Sequence, residues 1–432
     1  MNAPRRRVSP MALFALVPLL PLFVIGWVLV NAQGGIGVLS APRDGETSIA
    51  SDAATLQRGE YLARLGNCTT CHTTRGGAEL AGGRAFSTDY GTIHSTNLTP
   101  DAATGIGEWS VQEFGHAMRH GVSRHGLLYP VFPFQNFQHL TDADVDAIFA
   151  WLRSRPAIAQ ATPANTLAFP ASSRAMVLGW RMLFHRPQPL VEDVSRSAQW
   201  NRGRYLVEGL GHCDMCHGER AEFGSLPSDR RNAGGTIPGL GWRAPPLDQD
   251  ALSRWSQDEL AYYLRAGTGK HGSAYGPMAE VIASSLQYLE PADAQAMAAY
   301  LQSLPPARIH RVPVRQPQAS ASVGPASIAL YERHCADCHG SKGEGGERAP
   351  PLAGNPQVTA EDPVNPIRVV LYGAAAPATR AEPAPHSMPP FVDRISDADI
   401  ALLLNHIRGS FGNQAAAVSR EQLSAARTLP LE

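Results

Sequence analysis

The sequence is poor in cysteine, in charge and in strand-like alternation of apolar and polar residues. Only six of the 432 residues are cysteine, and charged residues make up 17% of the chain, with a formal net charge of -1. Nothing in this charge balance points to nucleic acid, so we expect no such partner. Because strand-like alternation is almost absent, the sequence predicts a mainly α fold.

After residue 35 the chain has no long apolar run, but it has one before that point. Residues 11–30 are uncharged and mostly apolar, and they follow Arg5, Arg6 and Arg7. About 20 apolar residues span a bilayer as a helix, whereas the apolar core of a cleavable signal is usually about 7–15 residues long. We therefore expect residues 1–35 to be a transmembrane anchor with its arginines in the cytoplasm. A cleavage site at Val30-Asn31-Ala32 is the alternative.

The six cysteines form three identical C-x-x-C-H motifs, and none is left over. The motif residues are Cys68, Cys71 and His72; Cys213, Cys216 and His217; and Cys335, Cys338 and His339. This is the attachment motif of haem c, in which two thiols bond to the haem vinyl groups and the histidine ligates the iron. Residues at i, i+3 and i+4 share one face of a helical turn. The sequence therefore predicts three haem c groups.

Two other uses of cysteine pairs agree less well with this spacing. Structural zinc takes four nitrogen or sulfur ligands from pairs at short separation, whereas these pairs begin 145 and 122 residues apart. A thioredoxin-like pair is expected beside a βαβ pattern. The sequence around these motifs instead indicates short helices and loops rich in glycine and proline.

The pattern around each motif repeats along the chain. TLQRGEYLARLGNC, WNRGRYLVEGLGHC and SIALYERHC are the three leading segments, with apolar residues at helical spacing. Later helices carry the start signal S/T-x-x-D/E. The signal pairs are Ser110 and Glu113, Thr141 and Asp144, Ser256 and Glu259, and Ser396 and Asp399. We expect three tandem domains of the class I cytochrome c type, at residues 51–155, 196–305 and 324–415.

The remaining segments connect or follow these domains. They are a linker with an apolar stretch at residues 156–195, a Pro-rich linker at 306–323 and a C-terminal tail at 416–432. The apolar stretch, AMVLGWRMLFHRP at residues 175–187, is too apolar for a solvated linker. We expect a helix packed on a neighbouring domain, with a surface for a partner subunit or the bilayer as the alternative.

An electron-transfer haem c usually has a methionine thioether opposite its histidine, which raises the reduction potential. Met278 follows His217 by 61 residues in a Gly-Pro-Met turn, and Met388 follows His339 by 49 residues in Ser-Met-Pro-Pro. Glycine and proline stiffen both loops, and both methionines precede the last helix of their domain. We predict Met278 and Met388 as the sixth ligands of the second and third irons. A plain core methionine is the alternative for each.

The first domain departs from this pattern. When HGLLYPVFPF (125–134) is aligned with HGSAYGPMAE (271–280), Phe132 lies opposite Met278 and cannot ligate iron. Met118, which aligns with Leu264, is the methionine of the first domain that follows its haem motif, and we favour it as the sixth ligand. Three histidines compete for that role: His116, His120 and His125.

The segment APPL occurs twice, at Ala244 to Leu247 and at Ala349 to Leu352, each shortly after a C-x-x-C-H motif. A backbone carbonyl in such a loop can accept the second N–H of the ligating imidazole, a contact that fixes the orientation of a metal-bound histidine. We predict this contact in the second and third domains. Prolines that only shape the loop are the alternative.

Beyond about residue 50 the chain resembles the triple-haem cytochrome c subunits of bacterial membrane-bound periplasmic dehydrogenases, which oxidise alcohols, aldehydes and sugar acids. The resemblance rests on the three motifs and on GTIHSTNLTPDAATGIGEWS (91–110), WNRGRYLVEGLGHCDMCHG (200–218), GPMAEVIASSLQYL (276–289) and DADIALLLNHIRGSFGN (397–413). It implies a catalytic dehydrogenase subunit as partner, ubiquinone as electron acceptor, and a position on the periplasmic side of the inner membrane.

One departure from that family bears on the partner. Cytochromes that accompany a quinoprotein alcohol dehydrogenase typically have a methionine at the position of Phe132. Phenylalanine there, with a methionine in the preceding helix, is similar to the branch that accompanies molybdenum hydroxylases with an iron-sulfur subunit. The resemblance favours that partner and leaves a quinoprotein as the alternative. The resemblance implies that the three haems relay electrons from the catalytic subunit of an aldehyde or alcohol dehydrogenase to ubiquinone. Alternatives to this relay are a peroxidase-like enzyme with an open first haem and a free-standing electron carrier.

Overall fold

The computed structural model describes residues 51–306, 323–346 and 349–430. In that part of the chain the fold is mainly helical, as predicted. No helix among those residues is long and apolar enough to cross a membrane. The predicted anchor at residues 1–35 lies outside the described residues, as does most of the Pro-rich linker.

Helices follow one another in three units. The first contains α1 (Ala53–Leu65), α2 (Cys68–Cys71), α3 (Val111–His120), α4 (Phe134–Phe137) and α5 (Asp142–Arg153), and α6 (Arg174–Phe184) lies in the connection. The second contains α7 (Ala198–Tyr205), α8 (Asp214–His217), α9 (Gln257–Ala266), α10 (Pro277–Ser284) and α11 (Pro291–Leu301). The third contains α12 (Pro325–His334), α13 (Ala336–His339), α14 (Pro356–Thr359), α15 (Val364–Tyr372), α16 (Asp397–Gly409) and α17 (Arg420–Thr428).

Short antiparallel strands join these helices, a feature that the sequence did not indicate. The strands are β1 (Ala85–Thr88), β2 (Gly91–His94), β3 (Val122–Ser123), β4 (Gly126–Leu127), β5 (Thr166–Leu167), β6 (Gly235–Thr236), β7 (Arg243–Ala244), β8 (Thr268–Gly269), β9 (Gly272–Ser273), β10 (Ala374–Ala375) and β11 (Ser387–Met388). The order β1-β2-β5 forms a three-stranded sheet, in which Ala85 lies opposite His94. The other strands form four antiparallel pairs, in which each strand is two residues long.

The helices that follow the predicted N-cap residues begin where expected. Ser110 and Ser256 each form a full capping box, with Glu113 and Glu259 as the returning carboxylates. Thr141 also accepts a hydrogen bond from the amide three residues later. These side chains satisfy backbone N–H groups that have no partner within the helix.

The leading and closing helices of the first two units cross in contact. A β carbon on Gly59 of α1 would lie 1.9 Å from the carbonyl oxygen of Ala147, and one on Gly203 of α7 would lie 1.9 Å from that of Ala296. Only glycine permits this approach, because any side chain would push the helices apart. The two units are therefore built on the same helix crossing.

One residue distinguishes the two leading helices. Tyr61 precedes Cys68 by seven residues, whereas Tyr205 precedes Cys213 by eight. The second segment accommodates the additional residue as a π-type turn over Leu206–Leu210. The backbone kinks within this turn at Gly209, whose φ of -91° and ψ of -109° are not helical. The additional residue is thus accommodated between the helix crossing and the haem motif.

The first two units share one hydrophobic core, which includes Leu62, Ile148 and Leu206. The third unit has core clusters of its own. Its larger cluster includes Leu423 and Ala426 of α17. The segment that we expected to be a C-terminal tail thus contains a helix packed on the third unit.

Candidate functional site

Each C-x-x-C-H motif forms one helical turn. The backbone N–H of His72 donates to the carbonyl of Cys68 at 2.9 Å, and His217 and His339 make the same bond to the first cysteine of their motifs at 2.8 and 2.9 Å. The turn places both thiols and the imidazole on one face, as the spacing predicts. The three segments α2, α8 and α13 therefore present the same set of groups.

All six cysteines are unpaired thiols. Burial raises the pKa of Cys68, Cys213 and Cys335 to about 12 in each case. Redox-active and zinc-binding cysteines react as thiolates with a lowered pKa. These three thiols differ in that respect from the low-pKa cysteine of a thioredoxin-like site.

The motif imidazoles each contact a backbone carbonyl through Nδ1. The distances are 2.7 Å from His72 to Thr96, 2.7 Å from His217 to Pro245 and 2.9 Å from His339 to Pro350. A carbonyl oxygen can only accept, so Nδ1 carries the proton and Nε2 has the free lone pair. Burial lowers the pKa of all three imidazoles, which keeps them neutral. A neutral imidazole with a fixed tautomer is the form that ligates iron.

The predicted use of the APPL segments is confirmed, because Pro245 and Pro350 belong to them. In the first unit the carbonyl of Thr96 makes the corresponding contact with His72. The sequence did not predict this contact, because Thr96 lies in Thr-Asn-Leu and not in Pro-Pro-Leu. The leucine two residues later is the shared signal. The amides of Leu98 and Leu247 donate to equivalent carbonyls at 2.8 Å in both units.

The second and third motifs open onto one continuous cavity of about 1370 Å³. Its walls include Cys213, Cys216, His217, Met278, Cys335, Cys338, His339 and Met388. This volume exceeds the roughly 300–1,000 Å³ of a pocket for a single small ligand. A cavity lined by paired thiols, neutral imidazoles and thioethers suits an iron porphyrin at each of these motifs.

The two methionines of this cavity lie on fixed backbone. Met278 is the second residue of α10, directly after Pro277. Met388 lies on β11 and pairs with Ala374 of β10. A β carbon on Gly373, whose φ is +78°, would lie 2.5 Å from the carbonyl of Met388, so glycine is required for this approach.

In the first unit the candidate sixth ligands differ in how deeply they are buried. Met118 is 5% exposed and belongs to the same buried cluster as Cys68, and Phe132 packs against this cluster. The ring of Phe132 contacts that of Phe137 edge-on at 5.4 Å. His125 lies at the surface. Met118 thus lies in the core that also contains Cys68, whereas His125 is exposed.

The other two histidines lie together on α3. The rings of His116 and His120 are 5.0 Å apart, and both are half-buried. Burial, together with repulsion from His116 and from nearby arginines, lowers the pKa of His120 to about 4.

A repeated pair of aromatic rings was missed at the level of sequence. Trp109 contacts His125 with ring centroids 6.5 Å apart, and Trp255 contacts His271 at 4.8 Å. Trp255 and His271 both line the large cavity. The signal was available, because tryptophan and histidine recur at the same places in the first two repeats.

The comparisons with known proteins agree with this geometry. Residues 56–156 and 328–410 match the family model for cytochrome c. The chain is 42% identical over 368 residues to a nicotinate dehydrogenase subunit of Pseudomonas putida, a match that covers 83% of this chain but only 30% of that protein. It is 37% identical over 392 residues to the gluconate 2-dehydrogenase cytochrome c subunit of Pantoea cypripedii, covering 84% of this chain and 87% of that one.

A third relative is the cytochrome c subunit of alcohol dehydrogenase (quinone) from Gluconacetobacter polyoxogenes. It is 37% identical over 390 residues, which cover 84% of this chain and 82% of the relative. The chain therefore spans less than a third of the nicotinate relative, but more than four fifths of the other two.

Proposed function

The chain belongs to the cytochrome c family, among the cytochrome c subunits of dehydrogenases, and we propose that it relays electrons from a periplasmic dehydrogenase to ubiquinone through three haem c groups. The observation that carries this proposal is the threefold repetition of one arrangement. Each C-x-x-C-H turn has a buried imidazole with Nδ1 bound to a carbonyl. Three such sites in one chain suit the transfer of electrons from one haem to the next.

Haem c, when bound, supplies a one-electron iron couple. The six cysteines would hold it covalently, and His72, His217 and His339 would ligate the iron through Nε2. The carbonyls of Thr96, Pro245 and Pro350 orient these imidazoles and increase their basicity. Met278 and Met388 would be the sixth ligands of the second and third sites, and Met118 that of the first.

We propose one cytochrome c domain for each unit, at residues 51–155, 196–305 and 324–415. The family model covers parts of the first and third. The second is supported by its likeness to the first, since it repeats the helix crossing, the capping box and the histidine–carbonyl contact.

The partner that we propose is a catalytic dehydrogenase subunit, since the three relatives are subunits of dehydrogenases. A molybdenum hydroxylase with an iron-sulfur subunit is favoured over a quinoprotein because Phe132 replaces a methionine.

We place the protein at the inner membrane, on its periplasmic side, with ubiquinone as acceptor. The apolar run at residues 11–30 supports the membrane part of this proposal. The relative from Gluconacetobacter polyoxogenes has a quinone in its name. That name supports quinone as the acceptor here.

Purification of the full chain from membranes in gentle detergent tests the proposal. We expect a large dehydrogenase subunit to copurify, and its substrate to reduce the haems of this chain and then added ubiquinone. A chain that purifies alone, with haems that no dehydrogenase reduces, would instead be a free-standing carrier.

A further inference from the structure

The first two units exchange tyrosine hydrogen bonds across their interface. The hydroxyl of Tyr61 in α1 donates to Oδ2 of Asp293 in α11 at 2.6 Å. The hydroxyl of Tyr205 in α7 donates to Oδ2 of Asp144 in α5 at 2.5 Å. Tyr61 and Tyr205 occupy the same place in their repeats, as do Asp144 and Asp293. The interface therefore has an approximate twofold axis.

Each aspartate is also held by an arginine of its own unit. Arg202 donates to Asp293 through Nε at 2.8 Å and Nη2 at 2.7 Å. Arg58 donates through Nε to Asp144 at 2.8 Å. Burial and the hydrogen bond to Asp144 raise the pKa of Tyr205 to about 12, so its hydroxyl keeps its proton. Both tyrosines therefore act as donors to carboxylates that an arginine has already oriented.

A second set of contacts joins this interface to the segments just before and within the haem motifs. The amide of Asn136 donates to the carbonyl of Glu208 at 2.9 Å and to Asp214, inside the second motif, at 2.8 Å. In the opposite direction, Ser285 donates to the carbonyl of Leu65 at 3.2 Å. Each unit thus holds the haem-bearing segment of the other.

From these contacts we propose that Tyr61 and Tyr205 are positioning residues, which fix the separation and orientation of the first and second haem c groups. The inference rests on the proposed function. The step that it serves is the passage of one electron from a reduced iron to an oxidised one, with no bond formed and no proton moved. Its rate depends on the geometry of the two sites, which the crossed tyrosines set through α1 and α7.

The third unit is joined to the second by contacts of another kind. Asn365 of α15 pairs with the backbone of Arg243, at 2.9 Å and 2.7 Å. Tyr262 of α9 donates to Glu382 of the third unit at 2.9 Å, and the tyrosine is exposed while the glutamate is half-buried. Tyr262 therefore provides a matched control. It forms a tyrosine–carboxylate hydrogen bond between the second and third units, outside the interface of the first two units.

The test uses the full haem-loaded chain and the double variant Tyr61→Phe, Tyr205→Phe, which removes only the two hydroxyls. Electron transfer between the first two haems is followed after pulsed reduction, and the magnetic coupling between the oxidised irons is measured by pulsed paramagnetic resonance. We expect severalfold slower transfer and a broader distribution of iron–iron distances, while the absorption spectrum and potential of each haem stay unchanged. Tyr262→Phe should change neither quantity.

An unchanged rate and an unchanged distance distribution in the double variant would overturn the inference. So would an equal effect of Tyr262→Phe. If the double variant does not fold, Tyr61→Phe alone is measured in the same way. Wild-type protein without covalent haem at either motif would overturn the proposed function itself, an outcome that the spectrum of the unsubstituted chain distinguishes at once.

Discussion

Arg202 binds Asp293 through two parallel hydrogen bonds, at 2.8 Å and 2.7 Å. The side chain of Asp293 is 12% exposed and that of Arg202 is 31% exposed. Removal of one partner from a fully buried pair costs roughly 3–5 kcal/mol. Because Arg202 is partly solvated, we expect Arg202→Gln to lower the free energy of unfolding by about 2 kcal/mol. Chemical denaturation at pH 7 measures this, and no loss would contradict the assigned pairing.

The same pair predicts a dependence of stability on pH. Burial raises the pKa of Asp293, but hydrogen bonds from Arg202 and Tyr61 outweigh it, so the pKa lies below its ordinary value of 3.8. A carboxyl with a lowered pKa stabilises the folded state above its unfolded pKa, and this contribution is lost as the pH falls through the folded pKa. We expect Asp293→Asn to be less stable than the wild type at pH 7. The difference should shrink below about pH 4, and a constant difference would contradict the assignment.

The crossing of α1 and α5 predicts intolerance to any side chain at Gly59. A methyl group there must displace the carbonyl of Ala147, and overpacking of this kind costs about 1–3 kcal/mol or more. Gly59→Ala should therefore lower the thermal midpoint of the chain, and Gly203→Ala should do the same. Gly179→Ala is the matched control. A β carbon there meets no atom within 4 Å, and alanine should be neutral or stabilising by up to about 1 kcal/mol.

The first haem offers a test by exchange of ligands. Met118→Leu copies Leu264 of the second unit and conserves volume, so it should cost less than about 1.5 kcal/mol. We expect it to abolish the methionine–iron absorption band of the first haem and to lower its potential. Phe132→Met in the same background should restore both. If Met118→Leu leaves the first haem unchanged, His116 or His120 becomes the better candidate.

Methionine replacement at the large cavity should affect one haem at a time. Met278→Leu removes the thioether that we propose as a ligand of the second iron, and Met388→Leu removes the one that we propose for the third. Since methionine ligation raises the potential of haem c, each variant should lower one potential of the three and leave the other two in place. Redox titration followed in the visible band checks this. A potential that does not move would show that the replaced methionine only packs in the core.

The sequence predicted the structural features whose interacting residues lie close together along the chain. The C-x-x-C-H turns and the capping boxes at Ser110 and Ser256 are of this kind, because all their partners lie within four residues. The APPL loops were predicted from a repeated sequence segment, although Pro245 and Pro350 lie 28 and 11 residues from the histidines that they contact. Thr96 was missed because a carbonyl oxygen carries no side-chain signature.

Contacts between distant residues left no such signal. Tyr61 and Asp293 are 232 residues apart, and neither has a neighbour that indicates the other. The one-residue insertion before Cys213 was visible, but only the structure shows that it is absorbed as a π-type turn. Helix α17 was not predicted, because its amphipathic pattern is short and its buried face depends on α15 and α16.

The proposed relay depends on covalent haem at three places, and the intact mass of mature full-length chain measures this directly. Protein produced in a host that attaches haem c should carry the mass of three haem groups, retained after denaturation, with no free thiol at Cys68, Cys213 or Cys335. A chain whose pigment is released on denaturation, or whose six cysteines all react as thiols, would contradict it.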